Sequence, residues 1–263
     1  MNRCGVSILL VLLLGCALAS AQGPLRTVHV FVALADNANQ GIVPVPAKLG
    51  NGEDPEHNLY WGSAGGVKTF FSRAAEWERL GCGLKAKQQI LDRCVFKFRA
   101  ANVYLIADAY RGTEIRQAIL DFLDSAAGDG ADRVSVSAGA SGKTVELPAH
   151  GGASLVAYAG HDGFMDFQLT RFPRQKNDTH RDAVVLACAS KQFFGSAVRA
   201  TGAFPLLWTT GLMAPEAYTL KSALDGWIAG ETNEQIRERA AGAYDKYQKC
   251  GLKAARHLFA TDW

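Results

Sequence analysis

The chain is predicted to fold as an α/β protein on a single doubly wound, mostly parallel sheet with helices on both faces and a small β-hairpin insertion. Three observations predict this. Short, nearly continuous apolar runs recur along the chain, helix-period patterns lie between them, and one segment alone alternates with period two. Strands covered on both faces read as unbroken apolar runs, and strand–helix alternation implies crossover connections in a parallel sheet.

The apolar runs are "TVHVFVALA" (Thr27 to Ala35), "NVYLIADA" (Asn102 to Ala109), "SLVAYAG" (Ser154 to Gly160), "AVVLACA" (Ala183 to Ala189) and "FPLLWTT" (Phe204 to Thr210). After the first run, Ser63 to Leu80 is read as a helix. After the second, Ile115, Ala118, Ile119, Phe122 and Leu123 form one apolar helix face, with Glu114, Arg116, Gln117 and Asp121 opposite. "SKQFFGSAV" directly after Cys188 reads as a short helix. Pro215 suits a first turn leading into Glu216 to Ile228. Thr232-Asn233-Glu234-Gln235 matches a capping box opening a last helix towards Lys249. "RVSVSAGASGKTVEL" alternates on both sides of a Gly/Ser turn and reads as the hairpin. Its "GKT" imitates a phosphate-binding loop, but Ser137 stands where the first glycine belongs and Pro148 follows where a helix is needed.

The 263 residues carry a formal net charge of +3, with 20% charged and 48% hydrophobic residues, enough for one sizeable core. No Lys/Arg run is dense enough for a nucleic-acid face. Residues 1–21 read as a signal peptide: Arg3, the apolar stretch Val6 to Leu14, then Ala19-Ser20-Ala21 as the cleavage site. The mature domain is then 22–263, exported to the periplasm or secreted, with lipid anchoring at Cys16 as the alternative. Past Gln22 no stretch reaches the roughly 18 apolar residues of a membrane span. Cys82, Cys94, Cys188 and Cys250 remain in that domain. Cys82 and Cys94 are the nearest pair for a disulfide in an oxidising compartment. Free buried thiols are the alternative, and four cysteines do not define a connectivity.

Chemistry gathers at two strand ends. In open α/β sheets, ligands bind beyond the carboxyl ends of the strands. His161 and Cys188 both sit at such ends, on successive predicted strands. An imidazole that takes a thiol proton makes a nucleophile and base pair for acyl transfer. Gly160 and Gly163 flank the histidine and allow backbone amides to face a substrate, as an oxyanion hole requires. Taken singly, a cysteine within "VVLACA" is a small core residue and a histidine after a strand is a turn residue. Their pairing, His then Cys, singles them out.

Tyr158-Ala159-Gly160-His161-x-Gly163 resembles the Tyr-Ser-Gly-His-Gly segment of metacaspases and other caspase-like cysteine peptidases, here with Asp162 inserted. Leu186-Ala187-Cys188-Ala189-Ser190 resembles the apolar strand ending in their catalytic cysteine, and "EIRQAILDF" resembles the helix before their histidine strand. The resemblance covers roughly Val103 to Ser190. It implies a caspase-like three-layer sandwich, His161 as general base or acid, Cys188 as nucleophile, and the amides of Gly163 and Cys188 as oxyanion donors.

Softer candidates surround these two. "NGEDPEHNLYWG" is a long polar loop whose Tyr60 and Trp61 either wall a substrate pocket or pin a surface loop. Trp208 opens a segment that lines the other side. Asp36 and Asp108 end predicted strands near one edge, as an acidic pocket or as caps and turn residues. The expected function is an exported cysteine endopeptidase acting on peptide or protein substrates through a thioacyl intermediate, without metal or cofactor. The alternatives are a non-catalytic peptide- or glycan-binding protein of the same fold, and a thiol acyltransferase or amidase on another doubly wound sheet. Residue preference and oligomeric state are not legible.

Overall fold

The computed structural model describes residues 23–84, 86–130, 132–138 and 142–263. The expected leader over 1–21, with Cys4 and Cys16, and the tip of the Gly/Ser turn lie outside the described residues. Among the described residues no helix is long and apolar enough to cross a membrane.

All five apolar runs are strands: β1 (Arg26–Ala33), β4 (Val103–Tyr110), β7 (Leu155–Ala159), β8 (Asp182–Leu186) and β9 (Phe204–Thr209). They form a parallel block in the order β9-β8-β7-β1-β4. Two further strands, β2 (Trp77–Gly81) and β3 (Ile90–Phe98), extend one edge antiparallel, and β10 (Phe259–Ala260) closes the other. The hairpin forms separately from β5 (Arg133–Ala138) and β6 (Lys143–Pro148). Lys143 therefore opens a strand, and no helix faces a phosphate there.

Alternation along β1 divides the core. Val28, Val30 and Val32 face a layer of α1 (Val67–Arg73), α4 (Ala217–Ala229) and α5 (Asn233–Gln248). Phe31 and Ala33 face α2 (Ile115–Ala126) and α3 (Ser190–Thr201). The Thr232 capping box opens α5 as the sequence indicated. A short α6 (Leu252–Leu258) leads into β10.

One expected helix is corrected. Of Ser63 to Leu80, only Val67–Arg73 is helical, and Trp77–Gly81 is a strand. Trp77 is buried against Phe71 and Phe98 on one face and Leu80 packs towards the hairpin on the other, while Arg79 is exposed; the stretch pairs with β3. Strand β3 was hidden because Asp92 and Arg93 interrupt its apolar run. Both are buried and paired, Asp92 with the Trp61 indole and Arg93 with Asp108. A disulfide joins Cys82, just past β2, to Cys94 in β3.

Candidate active site

The sheet reverses its winding at β1: β4 lies on one side, β7, β8 and β9 on the other. At such a switch point the loops leaving neighbouring strands diverge and leave a crevice at their carboxyl ends. The segments after β1, β7, β8 and β9 all meet there.

His161 and Cys188 lie level at this edge. Ala159 of β7 pairs with Leu186 of β8, the Gly160 amide continues the ladder by donating to the Leu186 carbonyl at 3.2 Å, and each candidate stands two residues past its paired neighbour. Ala159 and Leu186, the last residues of the two strands, both face the α1/α4 layer. Gly160 is required by space: a Cβ would lie 3.0 Å from the Ala33 carbonyl oxygen and 3.2 Å from the Tyr158 hydroxyl. That hydroxyl donates to the His161 carbonyl at 2.7 Å and holds the turn.

Past His161 the chain makes one 3₁₀ turn over Gly163–Met165, which Asp162 caps by accepting from the Phe164 amide. The turn brings Asp166 back over the histidine. His161 Nε2 lies 2.8 Å from Asp166 Oδ2, which also accepts from the Gly41 amide at 3.0 Å. A carboxylate can only accept, so Nε2 carries the hydrogen and Nδ1 keeps its lone pair. Asp166 thus fixes the tautomer and ring of a histidine that is only 7% exposed.

Cys188 is half-buried. Its Sγ receives the Met213 amide at 3.4 Å and faces the Met213 carbonyl at 3.6 Å. The sulfur thus accepts from one backbone group of Met213 and donates to the other. The chain leaves β8 through Ala189 in the left-handed region (φ 47°) and enters α3 at Ser190. The Ala189 amide donates to Gly211 at 2.8 Å, and the Ser190 hydroxyl lies 3.1 Å from that of Thr209. The cysteine is therefore set against the β9 loop by bonds on both sides.

The softer candidates divide. Tyr60 is buried near the thiol, and its phenol is pushed far up by burial and then by the charges of Cys188 and Glu216. Its loop is pinned by Asn58, whose amide group bonds the Ala35 backbone N–H and carbonyl. Trp61 is fully buried with its indole on Asp92, so it anchors this loop beneath the surface. Asp36 accepts from the Ala38 and Asn39 amides and the Asn39 side chain, which makes it a turn residue with its oxygens occupied. Asp108 is fully buried mid-strand, gripped by Arg93 at 2.5 and 2.6 Å and by His29 at 3.0 Å. It cannot meet a substrate; the expected acidic pocket from Asp36 and Asp108 is not formed. Trp208 is buried beneath Trp263 and lines no cleft. Gly163 packs against the α2 layer, where a Cβ would come within 2.7 Å of Phe167 and 2.9 Å of Ile119. Crowding explains that glycine, so the approach of a substrate backbone loses its support there.

Asp166 and Met213 are site residues that the sequence reading missed. Asp166 had a visible signal, a carboxylate one short turn after a strand-end histidine. Met213 had none, because it acts through its backbone. A separate surface cleft of about 340 Å³ is walled by Arg116, Leu120, Leu169 and Arg171 on the α2 side. Comparison of the chain with protein-family models, with curated proteins and with solved structures finds no match.

Proposed function

We propose that the chain is an exported cysteine peptidase of caspase-like architecture, in which Cys188 attacks the scissile carbonyl and His161 moves the protons. The observation that carries this reading is the level placement of the two residues on adjacent parallel strands, with Asp166 fixing the imidazole. The doubly wound sheet with helices on both faces supports the architecture. The leader reading of residues 1–21 and the Cys82–Cys94 bond support export, since disulfides persist in oxidising compartments.

In this reading His161 Nδ1 takes the Cys188 proton, and the Met213 amide stabilises the resulting thiolate. Sulfur adds to the carbonyl carbon, with the Cys188 amide as oxyanion donor. The imidazolium then protonates the leaving amine as the C–N bond breaks, leaving a thioester. A water that gives its proton to Nδ1 hydrolyses the thioester, and the thiol is restored. Asp166 stays ionised throughout and steadies the imidazolium.

A second reading, a peptide- or glycan-binding protein of this fold, is favoured by the small exposure of His161 and by the thiol's contact with the Met213 carbonyl. Hydrolysis of a mixed fluorogenic peptide set under reducing conditions separates the two, together with labelling by an acyloxymethylketone probe. The peptidase reading expects Cys188→Ser to abolish turnover with folding intact, and His161→Ala to remove most turnover and slow labelling. Wild-type turnover in Cys188→Ser, or labelling without cleavage of any peptide, would leave the binding protein.

A further inference from the structure

The carboxyl of Asp162 has no role in the steps above, yet it is fully buried beside His161. Its Oδ1 accepts from the Phe164 amide at 3.0 Å, and its backbone carbonyl accepts from the Met165 amide at 3.0 Å. Its Oδ2 has no hydrogen-bond partner among the described residues. Those two amide bonds shape the turn that delivers Asp166 to His161 Nε2.

We propose that Asp162 is a positioning residue of this site: it sets the turn that brings Asp166 onto His161, and its proton state governs how strongly the imidazole holds a proton. The inference rests on the proposed catalytic pair. A bare carboxylate oxygen in an apolar setting is costly, and a proton on Oδ2 removes the charge. Burial, and then the nearby negative charge of Asp166, push this carboxyl up to about 7 against the pull of the two amides.

The surroundings leave few other charges. The Phe164 ring packs edge-on against Phe194 of α3 and Gly163 lies against Ile119 of α2, both apolar. Arg116 of α2 stacks on the outer ring of Phe167, the Tyr158 phenol lies nearby and is held neutral by burial, and His161 and Asp166 complete the set. When Asp162 ionises, a second negative charge flanks the His161–Asp166 pair. The imidazolium is then favoured, and with it the thiolate of an ion pair with Cys188.

The test follows the His161 ring by NMR across pH in the full chain, in wild type and in Asp162→Asn, which keeps the Oδ1 acceptor but cannot ionise. Its His161 should titrate at lower pH than in wild type. Iodoacetamide alkylation of Cys188 should match wild type below pH 6 and be roughly three- to tenfold slower at pH 8. Superimposable His161 titrations in a folded variant would overturn the proposal. Should Asp162→Asn not fold, the side-chain carboxyl carbon of Asp162 in the wild type decides: a titration near neutral pH supports the proposal, and one below pH 5 refutes it. Neither NMR reading requires turnover. An inert Cys188 with a shifted His161 titration would sink the peptidase and leave the positioning role standing.

Discussion

Two of the histidine–aspartate pairs, one in mid-sheet and one at a strand end, serve opposite ends. In mid-sheet, His29 Nε2 lies 3.0 Å from Asp108 Oδ2; at the strand end, His161 Nε2 lies 2.8 Å from Asp166 Oδ2. The difference is in what surrounds each pair. His29 Nδ1 receives the His150 amide at 2.9 Å, and Arg93 neutralises Asp108 through two bonds. Both ring nitrogens of His29 are engaged, so the imidazole has no free position left for chemistry. Asp166 is one-third exposed and, among the described residues, its carboxylate has only the Gly41 amide and the histidine as partners, and Cys188 stands level with His161. The same chemical pair is structural where both ends are saturated and available where one end is left open.

The largest expected effect breaks the closed pair. Asp108→Ala leaves Arg93 and His29 buried without their acceptor, and removing one partner of such a network costs about 3–5 kcal/mol. Urea unfolding should show this loss. Asp166→Ala, measured the same way, should cost less, about 1–2 kcal/mol, since Asp166 is one-third exposed and water can replace part of what it loses. Equal costs would erase the contrast.

The second prediction uses pH. Burial, and then the neighbouring His29, lower His150 to about 4. Its folded value lies below the ordinary one, so its contribution is present above about pH 6.5 and is lost as pH falls towards 4. The side chain is only 8% exposed, and the loss should approach about 3 kcal/mol. Asp108 is also held below the usual carboxylate range, by the Arg93 and His29 bonds over an opposing burial cost, so a further loss follows beneath pH 4. Thermal unfolding across pH 4 to 8 should show the first step in wild type and a diminished one in His150→Phe.

The smallest effect sharpens the open pair. Asp166→Asn keeps the shape but gives His161 Nε2 either a donor or a weaker acceptor. Cys188 labelling and peptide turnover should each fall about 10- to 100-fold, with little change in unfolding. Unchanged rates would show that Asp166 only shapes the turn.

These pairs also mark what a sequence can show. β1, β4, β7, β8 and β9 were legible because both faces are covered and most side chains are apolar or small, despite His29 in β1 and Asp108 in β4. The strand-end positions of His161 and Cys188 followed from those runs. β3 was not legible: Asp92 and Arg93 interrupt its apolar run, and only the folded sheet brings Trp61 and Asp108 to them. Asp108 misled for the same reason, since its position at the end of an apolar run gives no sign of the guanidinium beside it. Pairs distant in sequence leave no local periodicity.

The two margins of the sheet have a consequence for solubility. A strand margin presents unpaired amides and carbonyls, which invite another chain to add on. At one margin β10 is only two residues long, too short to template a neighbour. At the other, β2 carries the charges of Glu78 and Arg79, loses register between Arg79 and Gly81, and is stapled close by through Cys82–Cys94. Charge, irregularity and covalent restraint together resist fibrillar stacking at the margin that is long enough to seed it.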